Sequence, residues 1–544
     1  MTRPTDADIK RVDRGDAKAT AASLRRQGFM FRDAWFWISY RMATEPEPEF
    51  KSVMDDSPDE PVAPPGVIES AAARRAETDC KTFVFTCAQA NTKVHSAFLE
   101  SLERFCEHRD ASLHIAQFTY NKAKHGKKSI KPGADQEGDG DSVWFDPAIA
   151  PYVSDHSIQI APDLVWCGEL NILPTMKFPL SQFKTYTRHD SAIIPHAKMS
   201  MESIPVMPGV PARMLYTTGA VTQRNYVQKT AGQVADFHHV FGAIVVEVDD
   251  DGTWWARQLN AKDNGEFYDL TTLYNPIGWN TDQRVEAITH GDLHFAQRDT
   301  AIVHAVFKPA GILDQLDPKL QFFHDVIDFQ ARNHHEIKDG HYWHERFVNG
   351  EDSVEKEFDD LATWLKHDGT REHTETFVVT SNHDQFIEGW LRDTATLKDP
   401  INITFWHYLN YYCHSTIEDK KKPYPFAFAL QQKMINSDGY SPALKILHED
   451  DSYLIGGQIE AGLHGHLGPN GARGSPKNLR TVGKANTGHT HSAGIVDGVY
   501  TAGTYSLLRM SYTKGLSSWS HSMILTYENN KRTILTIKKG KAWR

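Results

Sequence analysis

Residues 377–384 read FVVTSNHD. The first four residues are apolar or β-branched and predict a short buried strand. The next four place Asn382, His383 and Asp384 where that strand ends. Open α/β sheets carry their ligands at this position, where a strand runs out into a loop. The stretch therefore predicts an α/β fold with polar chemistry at one edge of a sheet.

Further clusters of metal-ligand residues lie on both sides of this stretch, in the second half of the chain. They are Gly291-Asp292-Leu293-His294, His324-Asp325, Gly462-Leu463-His464-Gly465-His466 and Gly488-His489-Thr490-His491. Asp, Asn and His can hold a pair of divalent metal ions, which activate water for attack on phosphorus. Each motif alone is weak, because a chain with 28 histidines produces His-x-His by chance. Their joint order predicts a dinuclear metal centre.

The composition is typical of a soluble globular protein. The chain has 544 residues and a formal net charge of −11, which disfavours a general role in coating polyanions. No run approaches the roughly 18 consecutive apolar residues of a membrane span. The polar start, Thr2 to Lys10, lacks the layout of a signal peptide, so we expect a cytoplasmic protein. The five cysteines form no metal-type pair and are expected to be reduced thiols.

Shifts in composition predict four segments. Residues 1–43 form a helical N-terminal extension with an aromatic cluster between Phe29 and Tyr40, and residues 44–79 form a linker rich in Pro and acidic residues. Residues 80–283 predict an α/β accessory domain, and residues 284–544 carry the ligand clusters and end in a basic strand. The aromatic cluster either packs on the main body or another subunit, or it belongs to a small DNA-contacting module.

The clusters resemble the motif order of the calcineurin-like metallophosphoesterases: Asp-x-His, Gly-Asp, Gly-Asn-His-Asp/Glu, His and Gly-His-x-His. The chain departs from this order at His324 and Ser381, where the family has glycine, but neither departure removes a ligand. The resemblance covers about Val285 to Thr504. It implies a metallophosphoesterase-type β-sandwich flanked by helices, preceded here by the α/β accessory domain and the short helical extension.

The same resemblance implies a role for each residue of the clusters. One metal ion would be held by Asp292, His294 and His491 and the other by Asn382, His464 and His489, with Asp325 bridging. His383 would give a proton to the leaving alkoxide, and Asp384 would orient His383. His466 stays an alternative to His464, because positions two residues apart on an extended chain point the same way. The imidazoles of this set favour Mn²⁺ over Mg²⁺.

A second resemblance concerns segments on both sides of residue 284. The segments are 86–92, 217–222, 237–239, 332–335 and 471–474. They are similar to a group of pre-early DNA-transfer and host-DNA-degradation proteins of tailed phages whose genome enters in two steps. This resemblance implies a Mn²⁺- or Mg²⁺-dependent DNase in the host cytoplasm. A homo-oligomer is expected, and a second phage pre-early protein is a candidate partner.

Basic residues close to the ligand-bearing loops are candidates for holding DNA. They are Arg332, His334, His335 and Arg473. Each of them either binds phosphates of the substrate or only supports the site and pairs with neighbouring side chains. The basic C-terminal strand offers the same choice, between an electrostatic DNA contact and a charged edge that discourages aggregation.

Three functions compete on this sequence. The first is a DNA nuclease, the second is an enzyme of the same fold acting on a small phosphoester or a phosphoprotein, and the third is a non-enzymatic DNA-binding regulator of host takeover. The complete ligand set, with His383 beside Asn382, argues against the third. The accessory region of residues 80–283 favours a large substrate or partner over a small one.

Overall fold

The computed structural model describes residues 9, 11, 17–27, 74–75, 80–119, 143–333, 336, 339–435, 444–510 and 513–544. The chain divides into two compact units, Met1–Glu69 and Ser70–Arg544. The described part of the first unit contains the helix α1 (Ala17–Arg26), in which Leu24 is buried. The aromatic cluster of the extension and most of the predicted linker lie outside the described residues.

The second unit is a mixed α/β structure, as the sequence predicts. Its first strands are β1 (Arg74–Arg75), β2 (Thr82–Gln89), β3 (Ala111–Phe118), β4 (Ser157–Ala161), β5 (Leu164–Cys167), β6 (Ser191–Ile194), β7 (Met201–Ile204), β8 (Arg213–Thr217), β9 (Gly242–Val248), β10 (Trp254–Asn260), β11 (Phe267–Asp269), β12 (Thr272–Asn275) and β13 (Gly278–Asn280). The later strands are β14 (Ala287–Thr289), β15 (Leu320–His324), β16 (Glu375–Val379), β17 (Leu444–Leu447), β18 (Leu454–Ile455), β19 (Ile459–Glu460), β20 (Ala485–Thr487), β21 (Gly494–Val496), β22 (Val499–Thr501), β23 (Ser522–Thr526) and β24 (Arg532–Thr536).

Helices separate many of these strands. They are α2 (Ser96–Arg109), α3 (Thr230–His238), α4 (Thr300–Phe307), α5 (Ile312–Leu316), α6 (Gly340–Asn349), α7 (Val354–Trp364), α8 (Phe386–Arg392), α9 (Ile403–Glu418), α10 (Pro425–Met434) and α11 (Pro476–Leu479). Over the described residues, we find no helix with the length and apolar character needed to cross a membrane.

A six-stranded sheet positions the first three ligand clusters. Its order is β17-β16-β15-β14-β23-β24, and β14 to β17 run parallel, so their carboxyl ends meet at one edge. Side chains alternate between the two faces of a strand. In β15, Phe323 accordingly packs in the large core that includes helices α4 and α7, and Phe322 packs in the cluster that includes Ile455 and Ile459. The predicted strand before Asn382 is confirmed as β16.

An eleven-stranded sheet positions the last two clusters, and it contains strands from both sides of residue 284. Its order is β1-β4-β5-β6-β8-β7-β21-β22-β20-β19-β18. Strands β7 and β21 pair antiparallel, with Met201 opposite Ile495. The strands β21 and β22 form the hairpin that Asp497-Gly498 predicts. The predicted division into residues 80–283 and 284–544 stays a prediction, and a boundary there would cross this sheet.

Residues 80–283 also contain a four-stranded sheet, β10-β9-β2-β3, and a three-stranded sheet, β11-β12-β13. Helix α2 packs on one face of the four-stranded sheet through Phe98, Leu102 and Phe105, in the amphipathic pattern that the sequence predicts. All five cysteines lie in described segments and are free thiols, as expected.

Candidate metal centre

The ligand clusters lie where strands of the two larger sheets end. Asp292 follows β14, Asp325 follows β15 and Asn382 follows β16, all at the carboxyl edge of the six-stranded sheet. His464 follows β19 and His489 follows β20 in the eleven-stranded sheet. The ends of the two sheets therefore bring together residues that are almost 200 positions apart, such as Asp292 and His489, whose backbone N–H donates to Asp292 Oδ2 at 2.7 Å.

Four of the predicted ligands form one tight, buried group: one ligand atom each of Asp292, His294, Asp325 and His491 lies within 4.8 Å of the others. The Nε2 atoms of His294 and His491 are 2.9 Å apart. Oδ2 of Asp292 lies 3.1 Å from His491 Nε2, and Oδ2 of Asp325 lies 3.5 Å from His294 Nε2. Ring nitrogens and carboxylate oxygens that converge in this way match the donor set of a divalent cation.

Buried oxygen atoms without hydrogen-bond partners indicate whether a cation fits between these ligands. Within the described residues, Asp292 Oδ1, Asp325 Oδ1 and Asn382 Oδ1 are buried and have no hydrogen-bond partner. A buried polar atom without a partner costs free energy, and a buried carboxylate costs more. A bound cation would satisfy these atoms, so the donor set fits a metal ion.

Of the ligands predicted for a second ion, His464 contacts Asp325 and His489 lies beside His464. His464 Nε2 lies 3.3 Å from Asp325 Oδ2, and the ring centroids of His464 and His489 are 5.2 Å apart. His466 instead directs its Nε2 towards Glu449 Oε1, at 3.6 Å. The geometry therefore favours His464 over His466 beside Asp325. The number of ions stays a prediction.

Four of these residues have a backbone conformation that is unusual for residues with a side chain. The φ angles of His294, Asp325, His489 and His491 are +43°, +45°, +71° and +56°. A left-handed residue other than glycine costs of the order of 1–3 kcal/mol, and such residues concentrate at functional sites. Three of the four, His294, Asp325 and His491, direct their side chains into the same buried group in spite of this cost, and the ring of His489 lies beside that of His464.

Gly488 is required by the close approach of the two sheet ends. A Cβ atom at this position would lie 2.0 Å from Asp292 Oδ1 and 3.3 Å from the Cβ of His324. Any side chain would therefore displace a ligand. The predicted Gly-His-x-His motif therefore needs its glycine to leave room for the carboxylate of Asp292.

Asp328 is a functional candidate that the sequence reasoning missed. Its Oδ1 lies 2.6 Å from Nδ1 of His294, and both side chains are buried. Burial alone would lower the pKa of His294, but the carboxylates of Asp328 and Asp325 raise it to about 9. A carboxylate that accepts from the far ring nitrogen fixes a ligand imidazole in the orientation that binds metal. The only signal in the sequence is its position three residues after Asp325.

The chain is similar to a phage protein. It is 36% identical over 488 residues to Protein A1 of Escherichia phage T5, and the match covers 88% of this chain and 85% of that protein. The chain belongs to the Protein A1 family. The predicted resemblance to a phage protein is confirmed at this level. No family model matches the chain, and no solved structure matches it, so its place among the calcineurin-like metallophosphoesterases stays a prediction.

In this member of the Protein A1 family, the two residues that depart from the calcineurin-like motifs, His324 and Ser381, both contact neighbouring side chains of the site. His324 is buried, and its Nδ1 lies 3.4 Å from Nδ1 of His464, where it helps to orient that ring. Ser381 donates its N–H to Asp384 Oδ2 at 2.9 Å, and its Oγ accepts from the N–H of Asp384 at 3.1 Å. These contacts fix the loop that carries Asn382.

The predicted proton donor, His383, lies beside the group of four, with its ring centroid 4.8 Å from that of His294. The carboxylate of Asp384, which is predicted to orient His383, has other hydrogen-bond partners. The Asp384 carboxylate accepts from the N–H groups of Ser381 and Ile327 and so ties two loops together. Burial and the negative charge of Asp325 raise the pKa of Asp384 to about 7. The carboxylate grouped with His383 is Asp328, within 4.8 Å.

The candidate DNA-binding residues of this Protein A1 relative have different environments. Arg332 is buried, with Nε 2.5 Å from Asp399 Oδ2 and its guanidinium 4.5 Å from the ring centre of Trp343. That placement favours the supporting role over a phosphate contact. Arg473 is exposed. His334 and His335 lie outside the described residues.

The basic C-terminal strand of this Protein A1 relative is largely engaged within the molecule. Lys539 and Lys541 pair with Asp251 and Asp249 at 2.6 and 3.0 Å. Buried Arg532 donates to the carbonyl of Ala485 at 2.8 Å. These contacts favour a structural role for the strand's charges over a DNA contact.

Proposed function

We propose that this protein is a metal-dependent phosphodiesterase that cleaves DNA. The observation that carries the proposal is the buried group of Asp292, His294, Asp325 and His491, with His383 beside it. We further propose a calcineurin-like metallophosphoesterase fold, because the ligands follow successive strands in the order of that family's motifs. Two ions, preferentially Mn²⁺, would then lie on either side of Asp325, the second near Asn382, His464 and His489.

Each residue has a role in such a reaction. Bound metal ions supply an activated water and neutralise charge on the phosphoryl oxygens. Asp325 lies between His294 and His464, at 3.5 and 3.3 Å, and so can face both ions. Asp328 fixes the ring of His294. His383 lines an open cleft and is placed to give its proton to the leaving oxygen.

Membership of a phage protein family supports DNA as the substrate within this proposal. A phage that degrades host DNA needs an enzyme for phosphodiester bonds, and the proposed chemistry is hydrolysis of such bonds. We therefore propose host DNA degradation in the host cytoplasm as the biological role. A homo-oligomer and a second phage pre-early protein remain proposed partners.

Hydrolysis of a small phosphoester is the second candidate, and the cleft beside His383 favours it. This cleft of about 750 Å³ is lined by Glu336, Glu345 and Glu351, with Arg346 as a basic neighbour. Three carboxylates against one guanidinium repel a polyanion more than a small ester that reaches the metal centre alone. DNA would therefore need to approach from another side.

One assay separates the candidates. Purified protein is incubated with Mn²⁺, Mg²⁺ or EDTA and either circular DNA, linear DNA, p-nitrophenyl phosphate or its bis ester. We expect DNA cleavage with Mn²⁺, less with Mg²⁺ and none with EDTA. Full activity in EDTA would refute a metal-dependent enzyme. Hydrolysis of the small esters beside intact DNA would favour the second candidate, and DNA binding without any hydrolysis would favour a regulator.

A further inference from the structure

A second cleft opens beside the loop that carries His489 and His491. It has a volume of about 280 Å³, and Thr490 and Ser492 of that loop form part of its wall. The rest of the wall includes β7 and β21, which pair across the seam of the eleven-stranded sheet. We call it the Phe178 cleft, after the aromatic residue at its rim. It connects the accessory region directly with a ligand-bearing loop.

Three lysines surround the ring of Phe178, which is 39% exposed. The Nζ atoms of Lys177, Lys477 and Lys198 lie 5.5, 5.8 and 6.0 Å from the ring centroid. These distances are close to the outer limit of about 6 Å for a cation–π contact. Lys198 also pairs with Asp497, but the attraction to one ring is too weak to explain why Lys177 and Lys477 lie near each other.

The charge of the Phe178 cleft is positive on balance. Lys198 lies 2.5 Å from Asp497, and Lys184 pairs with Glu202. In the described structure, Lys177 and Lys477 have no carboxylate within 4.0 Å, and both are exposed. Four lysines against two carboxylates leave two positive charges at the rim, in a chain whose net charge is −11. The cleft beside His383, in contrast, is acidic.

We infer that the Phe178 cleft binds an unpaired base of the DNA substrate, with neighbouring phosphates on Lys177 and Lys477. The inference rests on the proposed function and adds the substrate form and the contact residues. Bases stack on exposed aromatic rings, and lysines along a groove follow the backbone of a single strand. In a duplex both faces of a base are covered, so the ring can accept only an unpaired or displaced one. The volume of about 280 Å³ also suits a single base better than a larger ligand.

The first test measures binding without cleavage. His383→Ala protein loaded with Mn²⁺ is titrated into a fluorescent single-stranded oligonucleotide, and binding is followed by anisotropy. Adding Phe178→Ala should weaken binding about 5- to 100-fold, the range of base–aromatic stacking. Adding Lys177→Ala or Lys477→Ala should each reduce the slope of log K against log salt by about 0.7.

Matched controls remove exposed side chains that do not line the cleft. Tyr411→Ala deletes an aromatic ring that is 75% exposed on α9, and Lys421→Ala deletes an exposed lysine just after that helix. Both should bind DNA like the parent protein. Phe178→Leu keeps apolar bulk but lacks the aromatic face, so it should bind as weakly as Phe178→Ala. Thermal unfolding and metal content of every variant show whether the fold is intact.

The second test locates the base. Oligonucleotides carry one abasic site at successive positions, and each is compared between the parent protein and Phe178→Ala. We expect one position at which the abasic site weakens binding in the parent and has no further effect in Phe178→Ala. Equal losses at all positions, or unchanged binding by Phe178→Ala and Phe178→Leu, would overturn the inference.

The outcomes also separate this inference from the proposed function. If the unmodified protein cleaves DNA but Phe178→Ala binds DNA as tightly as its parent, DNA binding in the Phe178 cleft is refuted and the proposed nuclease function stands. If DNA binding depends on Phe178 and on one base but no metal condition gives cleavage, the proposed nuclease function is refuted and DNA binding in the Phe178 cleft stands.

Discussion

Removal of the Asp328 carboxylate should weaken metal binding although Asp328 is not a predicted ligand. Its Oδ1 accepts from His294 Nδ1 at 2.6 Å, and the other ring nitrogen of His294 faces His491 at 2.9 Å. Asp328→Asn keeps an oxygen acceptor of the same shape but removes the negative charge. Asp328→Ala removes the acceptor as well and leaves the buried Nδ1–H of His294 without a partner.

The structure sets the expected size of both effects. Partners that orient a metal-binding imidazole are typically worth 10- to 100-fold in metal affinity, or about 1.4–2.7 kcal/mol. Asp328→Asn retains the hydrogen bond, so it should lie near the lower end, at about 10-fold. Asp328→Ala adds the cost of an unpaired buried donor, so it should reach about 100-fold or more.

Titration of metal-free protein with Mn²⁺, followed by calorimetry or by the electron paramagnetic resonance of free Mn²⁺, measures these affinities. Asp360→Asn is the matched control, because its carboxylate is 53% exposed and pairs with Lys356 on the surface. The control should bind Mn²⁺ like the unmodified protein. Unchanged affinity in Asp328→Ala would refute the reasoning. If turnover fell while affinity stayed constant, Asp328 would act through His383 instead.

Three further predictions follow from buried groups. His383→Ala should keep its metal and lose about two to four orders of magnitude in turnover, whereas loss of metal content would make His383 a ligand. Arg332→Ala should lower the free energy of unfolding by roughly 1.5–3 kcal/mol, because Asp399 loses its ion pair and keeps only the hydrogen bonds from Ile401 and Asn402; an unchanged urea midpoint with weaker DNA binding would restore a substrate role. Burial raises the pKa of Glu357 from 4.5 to about 8, so stability should fall as pH rises through this interval. Glu357→Gln should flatten that dependence, and an equal change in unfolding free energy between pH 5 and pH 9 in the variant and the unmodified protein, measured by urea unfolding, would contradict it.

The elements that carry the site could be predicted because their signals are local. An apolar run such as residues 377–380 predicts a buried strand wherever it lies in the fold, and the observed strand β16 agrees to within two residues. Ligand types at the ends of successive strands then predict convergence, since parallel strands share one carboxyl edge. The grouping of Asp292, His294 and Asp325 follows from this rule, whereas His491 joins them from the end of a strand in the other sheet.

What the sequence did not predict depends on contacts between distant segments. The pairing of Met201 with Ile495 joins strands almost 300 residues apart, and nothing local in either strand indicates it. The Phe178 cleft is lined by residues of both paired strands, and its lysines Lys177 and Lys477 are 300 positions apart in the sequence. Arg332 seemed available to DNA because it follows a ligand loop, but burial and Asp399 decide its environment.

The backbone of the site shows why motif order and tertiary structure had to be combined. His and Asp enter the left-handed region more often than most other residues with a side chain, and His294, Asp325, His489 and His491 all lie there. Three of them, His294, Asp325 and His491, direct their side chains into one buried group with Asp292. A hydrogen-bond network alone would not leave Asp292 Oδ1 and Asp325 Oδ1 without partners in the described structure. A cation would satisfy these oxygens, which is the strongest physical argument for a metal centre here.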